Sequence, residues 1–286
     1  MERALVTGPG GFVGGHLRAE LGQAFIAFDG DVLDAAAIRA AVRDARPNAV
    51  VHLAAASSVG ESFGAADEVW RTNVLGTVNV VEALRAESPG ARLLFASSGD
   101  VYGRADVVPT REEAPIAPVS PYAASKAAAE LACVGLDAVV ARSFPHIGPG
   151  QDRRFAVGSW TAQLAGIRAE GGGTLYVGDL DVERDLTDVR DVCRAYGLLL
   201  NAPAGAYNVC TGRAVPLRRV VELLVEAAGV PVTVERDDAR MRPAEVRVLA
   251  GDPSKLRETT GWEPQIPLEQ TLADALEAAS AAEVVS

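Results

Sequence analysis

Short runs of consecutive apolar residues, each closed by glycines or small polar residues and followed by a stretch of helical periodicity, alternate through the first half of the chain. Ala4-Leu5-Val6-Thr7 leads into Gly8-Pro9-Gly10-Gly11-Phe12-Val13-Gly14 and a helical run through Leu21. Phe25–Phe28 is a second run, ahead of a helix expected from Ala35 to Ala45. Then come Ala49–Ala56, a helical stretch over 67–87, Arg92–Ala96, an alanine-rich helix opened by Ser120-Pro121-Tyr122, and Ala138–Arg142. Apolar runs of roughly four to eight residues without polar alternation are strands covered on both faces, and strands spaced by helices build parallel βαβ units. The pattern predicts an α/β fold: a Rossmann-like, doubly wound parallel sheet over residues 1–150 with a smaller C-terminal α/β substrate lobe over 151–286. No strand fits between Asp29 and Asp31, so one sheet edge should be a strand short.

Past Gly150 the alternation weakens. A helix over 155–169, a strand over 174–177, a short helix from Val189, a strand at Tyr207-Asn208-Val209, a helix over 216–228, a strand over 231–235 and a last helix over 268–280 are expected. With no linker or repeat in sight, the lobes should exchange chain and share one core, leaving the ligand in the cleft between them.

Charge narrows the function. The 286 residues are 49% hydrophobic and 23% charged, with a net charge of −11, which suits a globular enzyme and opposes a nucleic-acid or anionic-membrane surface. An anionic substrate must then be met by local arginines. No run approaches the ~20 apolar residues of a membrane span, and the N-terminus enters a strand without a leader pattern, so a cytoplasmic protein is expected. Cys133, Cys193 and Cys210 lack metal-type spacing and read as buried thiols in a reducing compartment. His16, His52 and His146 are scattered, and no metal site is expected.

The chemistry gathers at a few places. Gly8, Gly11 and Gly14 between a strand and a helix allow a tight turn, close approach of backbone to a pyrophosphate, and exposure of helix N–H groups to it; Phe12 and Val13 belong to the same cradle. Asp29, about 20 residues after the first glycine, stands where an acid holds the adenosine ribose, although Asp29-Gly30 is also a plain strand-end turn. Asp31 and Val32 are further cofactor candidates beside it. With no Arg or Lys directly after Asp29, NADH should be accepted at least as well as NADPH. Leu53, Ala54 and Ala55 end a buried strand in small residues that let a ligand approach. Asn73 is read either as holding a water or a lysine on a proton path or as a helix-surface amide. Ser98 and Asp100 follow another strand, at the carboxyl edge where open α/β sheets place ligands. Tyr122 and Lys126, four apart on one helix face, form a pair in which an ammonium can draw a phenol towards neutrality.

Taken together and in this order, Gly8/Gly11/Gly14, Asn73, Ser98, Tyr122 and Lys126 resemble the extended short-chain dehydrogenase/reductase family, whose members act on nucleotide sugars. More narrowly, His146-Ile147-Gly148-Pro149-Gly150-Gln151, the segment Arg184–Asp191, Arg242-Pro243-Ala244-Glu245-Val246 and Gly251-Asp252-Pro253-Ser254-Lys255 resemble the branch containing GDP-mannose 4,6-dehydratase and GDP-6-deoxy-4-keto-mannose reductase. The resemblance implies NAD(H) or NADP(H), a nucleotide-sugar substrate and a homodimer. It casts Tyr122 as acid/base, Lys126 as its partner and ribose ligand, and Ser98 as a hydrogen-bond donor to the reacting oxygen. It places His146, Arg184, Arg242 and Glu245 against the substrate, the two arginines on its phosphates. Three departures stand out: Asp100, a catalytic candidate, is one methylene shorter than the Glu usual there, Gly99 occupies a position that carries an Asp or a hydroxyl in the dehydratases, and Pro145 replaces an Asn. The short segment after Lys126 could alter the family's dimer. The expected activity is reduction of a 4-keto-6-deoxy sugar, GDP-linked for preference; a 4-epimerase, a 4,6-dehydratase and a cofactor-sensing binding protein are the alternatives.

Overall fold

The computed structural model describes residues 3–241 and 246–285. The first half contains β1 (Ala4–Thr7), α1 (Phe12–Leu21), β2 (Phe25–Phe28), α2 (Ala35–Ala45), β3 (Ala49–His52), the short α3 (Val59–Ser62) and α4 (Ala66–Trp70), α5 (Gly76–Glu87), β4 (Arg92–Ser98), α6 (Pro121–Ala132) and β5 (Ala138–Ser143). The second half runs β6 (His146–Ile147), α7 (Ala156–Glu170), β7 (Gly173–Val177), β8 (Glu183–Asp185), β9 (Thr187–Asp188), α8 (Val189–Leu199), β10 (Gly205–Val209), β11 (Ala214–Pro216), α9 (Leu217–Ala228), β12 (Val232–Arg236), β13 (Val248–Leu249), α10 (Ser254–Thr260) and α11 (Leu268–Val285).

Six parallel strands in the order β10-β5-β4-β3-β1-β2 make the main sheet. β2 is an edge strand, as the missing segment between Asp29 and Asp31 requires. Alternation along each strand feeds two layers. Leu5 and Val50 pack with Ile38, Val42, Val80 and Leu84 on one face, while Val6 and Val51 pack with Leu17, Val192, Tyr196 and Trp262 on the other. Both faces are therefore covered, which is why these strands read as unbroken apolar runs. α8 and β10, although beyond residue 150, belong to this first body: β10 pairs with β5, and α8 supplies Val192, Cys193 and Tyr196 to its core. A separate cluster, including Trp160, Leu175, Leu224 and Leu276, holds α7, α9, α11 and the β7–β12 pair together as the second lobe.

Two further differences from the sequence pattern matter for the site. The stretch 67–87 is one helical path interrupted by a widened, π-helical turn at Arg71–Leu75, which turns Asn73 inward until it is 1% exposed. Next to it, a Cβ on Gly76 would lie 2.7 Å from Val32 Cγ2, so glycine lets α5 settle onto the loop after β2. The strands β6, β8, β9, β11 and β13 have only two or three residues each and leave no readable period.

Candidate active site

β1 delivers the chain into Gly8 at φ +68, a conformation that side chains disfavour, and a Cβ there would lie 2.9 Å from Ala54 N. Gly14 faces backbone as closely: its Cβ would press on the carbonyls of Gly8 and Pro9. These contacts hold α1 against the loop. No side chain caps the α1 N-terminus at Gly11, so its first amides are left for an outside acceptor, the arrangement that receives a phosphate.

A buried polar network fixes the floor beside this cradle. Thr77 donates to Asn73 O (2.6 Å), so it must accept from His52 Nε2–H (3.0 Å); His52 Nδ1 then accepts from Thr7 (2.7 Å), whose hydroxyl oxygen takes Ala54 N–H (3.2 Å). Burial, aided by the Lys126 charge, pushes the His52 pKa down to about 3, so the ring is neutral. Asn73 clamps Ala56 from both sides, accepting from its N–H (2.8 Å) and donating to its carbonyl (3.1 Å), and also donates to Ser125 (2.9 Å). Ser125 donates to Tyr122 O at 2.7 Å. Asn73 is neither a surface amide nor a ligand of Lys126: it is a brace between the β3 loop and the helix of Tyr122.

On the other side, Ser98 ends β4, accepts Asp100 N–H at 3.1 Å and donates to Asp100 Oδ2 at 2.9 Å. Ser120 caps α6 through Ala123 N–H at 3.1 Å, with Pro121 in the first turn, the local chemistry that starts a helix sharply. This sets Tyr122 and Lys126, 8% and 4% exposed, one turn apart. Lys126 Nζ donates to Ala96 O at 2.7 Å and lies 5.0 Å over the Phe95 ring; burial lowers its pKa to about 8. The expected depression of the Tyr122 phenol by Lys126 is corrected here. Burial first, then the nearby Asp100 carboxylate, push the phenol up, against an opposing hydrogen bond from Ser98.

A cleft of about 560 Å³ joins these parts. Gly8, Gly11, Phe12, Val13, Gly14, Leu53, Ala54 and Ala55 line one end; Ser98, Asp100, Tyr122 and Lys126 line the middle; His146 and Arg184 line the side towards the second lobe. Phe12 stacks on His146 with rings 6.1 Å apart, and His146 Nδ1 donates to Phe144 O at 3.1 Å. Arg184 donates to Glu183 O at 2.8 Å. Asp29, Asp31 and Val32 do not line the cleft. Asp29 is exposed at the end of β2. Asp31 accepts Leu33 N–H at 2.8 Å and serves the local turn, and Val32 is a 4% exposed core residue packed against α5. Arg242 and Glu245 lie outside the described residues.

The cradle, the uncapped helix end and Lys126 within one cleft fit a dinucleotide, and the comparisons agree. The GDP-mannose 4,6 dehydratase family pattern matches residues 16–275. The chain belongs to that family. It is 40% identical over 292 residues to the GDP-6-deoxy-D-mannose reductase of Pseudomonas aeruginosa, covering 95% of each chain. To the GDP-mannose 4,6-dehydratase of Yersinia enterocolitica it is 27% identical, covering 89% of this chain and 79% of the other. The fold matches the structure of RMD from Pseudomonas aeruginosa complexed with NADPH at a TM-score of 0.90 and 37% identity, over 99% of this chain and 100% of that one.

As an NAD(P)-using enzyme of the GDP-mannose 4,6-dehydratase family, the chain shows what its departures do. A Cβ on Gly99 would lie 2.9 Å from the Phe144 ring, so that ring occupies the space of a side chain at 99. Pro145, just before β6, accepts Thr187 N–H of β9 at 3.0 Å. Arg142 is buried in a pair with Glu130 at 2.7 Å. Sequence reasoning missed Ser143, Phe144, Trp160, Tyr196 and the arginines Arg153, Arg154 and Arg240 along the cleft. The adjacent Arg153-Arg154 in so acidic a chain was a signal available; Tyr196 and Trp160 read only as core.

Proposed function

We propose that the protein reduces a nucleotide-linked 4-keto-6-deoxy sugar, GDP-4-keto-6-deoxymannose, with NAD(P)H. When bound, the nicotinamide supplies the hydride to C4. Tyr122 gives the proton to the C4 oxygen, and Ser98 exchanges its bond to Asp100 for one to that oxygen. Lys126 holds the ribose, and its positive charge steadies the Tyr122 phenolate once the proton has left. Arg184 meets the diphosphate.

The observation that carries this reading is that the cleft centre presents one proton donor with a partner lysine and no acid at position 99. Elimination of a sugar hydroxyl needs a base at one carbon and an acid at the leaving oxygen; Asp100 can serve as the first, and Gly99, covered by Phe144, supplies nothing for the second. The 40% identity to a GDP-6-deoxy-D-mannose reductase supports the sugar and the base.

Asp29 is exposed at the end of β2, outside the cleft lining; an adenosine ribose that extends past the cleft to that strand end would meet its carboxylate, which disfavours a 2′-phosphate, so NADH should work at least as well as NADPH, and side-by-side kinetics with a strong NADPH preference would defeat this. Trp70, Leu75, Val78, Leu131 and Val134 are exposed along α4–α5 and the end of α6, which supports a homodimer through that face. The buried, unpaired Cys133, Cys193 and Cys210 suit a reducing cytoplasm. The deciding experiment incubates the purified protein with GDP-4-keto-6-deoxymannose and NAD(P)H. Stoichiometric loss of nicotinamide absorbance with formation of the 6-deoxy sugar is expected. Sugar interconversion or water loss from GDP-mannose without net nicotinamide consumption would sink the reading.

A further inference from the structure

Ser143 ends β5 and is the register neighbour of Ser98 at the end of β4, so the two hydroxyls stand side by side on one face of the sheet. Ser98 belongs to the reaction centre. Ser143 is instead bonded to the hydroxyl of Tyr196 on α8, at 2.7 Å. The two residues are 5% and 1% exposed, and both line the cleft. Neither hydroxyl has another hydrogen-bond partner among the described residues. Their mutual bond uses one of the two hydroxyl protons. One donor and several lone pairs are left over, on adjacent oxygens.

The place of the pair narrows what it can receive. Cys193, about one turn before Tyr196, directs its thiol at Val13 O, 3.7 Å away, so α8 lies against the first turn of α1 and Tyr196 stands on the dinucleotide side of the cleft. Tyr122 is close enough for Tyr196 to affect its phenol. A planar group carrying a carbonyl acceptor beside an N–H₂ donor complements one leftover O–H and one neighbouring lone pair. We propose that the Ser143–Tyr196 hydroxyl pair receives the nicotinamide carboxamide and so sets which face of the ring meets the sugar. The inference rests on the NAD(P)H reading of the cleft. Ser143 and Tyr196 are positioning residues in it, and the proton still comes from Tyr122.

The test compares NADH with ADP-ribose, which shares every part except the nicotinamide. Wild type, Tyr196→Phe and Ser143→Ala are titrated with each by calorimetry. Loss of one or two neutral hydrogen bonds should weaken NADH about 3- to 10-fold in each variant while ADP-ribose binding stays at the wild-type value. NADH deuterated on one face should also transfer its label with complete selectivity in wild type and mixed selectivity in Tyr196→Phe. Unchanged NADH affinity overturns the inference, as does an equal weakening of both ligands, which marks a merely structural tie between α8 and β5. If wild type binds neither ligand, the dinucleotide reading itself has failed, and that outcome is separate from the other two.

Discussion

In the proposed reaction Tyr122 supplies the proton and little else, so Tyr122→Phe should reduce turnover by about 10²- to 10⁴-fold while NAD(P)H affinity stays near wild type; retention of a third of the activity would remove it from that role. His52 offers a pH test. Its folded pKa is about 3 against 6.5 for the free side chain, so as pH falls from 6.5 towards 3 the unfolded chain takes up a proton that the folded chain refuses. Stability should therefore fall with pH across that window, by up to the order of 4 kcal/mol from this group. Carboxylates such as Asp188, held low by hydrogen bonds from Arg190 and Thr271, add to the same loss at the acid end of the range, where the unfolded chain protonates them first. The reading is therefore the difference from His52→Gln, which keeps a donor and an acceptor without titrating. Denaturant melts showing the same acid slope in both proteins would contradict the assignment. Tyr122 and Lys126 were legible as a pair from four-residue spacing, but the pKa direction was not, because desolvation depends on what tertiary packing puts around a side chain.

At the scale of elements, the carboxyl ends of β4 and β5 are locked to α6 by a buried charge pair. Glu130 on α6 accepts three bonds from Arg142 on β5, two of them shared by Nε, and one from Ser97 on β4, and Arg142 also donates to Tyr102 and to Glu112 O. Glu130 and Arg142 are 9% and 7% exposed. Glu130→Ala would leave a guanidinium buried without its counter-charge and should cost about 3–5 kcal/mol in chemical denaturation. Glu130→Leu combined with Arg142→Met should recover most of that loss; a double variant as unstable as the sum of its parts would mean that the hydrogen bonds to Tyr102 and Glu112 dominate. Most strands and helices of the first half were readable because their apolar runs are unbroken and closed by glycines or small polar residues. The widened turn at Arg71–Leu75 was not, since it is a packing adjustment that turns Asn73 inward beside Gly76 and Val32, with no punctuation in the sequence to announce it.

The whole molecule is acidic, yet Arg153, Arg154, Arg184 and Arg240 line the cleft. Substrate binding should accordingly weaken with salt while remaining specific. Arg184→Ala should raise the substrate KM by about 10-fold or more, the scale of one charge-assisted contact, with cofactor affinity unchanged. Calorimetry showing wild-type affinity for the nucleotide sugar would misplace the phosphate site. The proposed dimer face is tested by Leu131→Arg, at a position 73% exposed. Sedimentation should show a monomer with unaltered far-UV spectra, and an unchanged oligomeric state would assign the contact elsewhere.

Glycine positions, apolar runs and the Tyr122/Lys126 spacing are local properties, and by themselves they determined that this is a dinucleotide-type α/β protein and pointed to Ser98, Tyr122 and Lys126 as its candidate reaction centre. Steric limits on φ and the helical repeat act over a few residues, so such features survive reading in one dimension. Only the tertiary structure decided that β10 and α8 return to the first sheet, that Phe144 fills the space at Gly99, and that Tyr196 meets Ser143 beside the reaction centre. Those are contacts between residues 45 or more positions apart, and they depend on strand pairing, close packing and complementary hydroxyls, which leave no spacing along the chain.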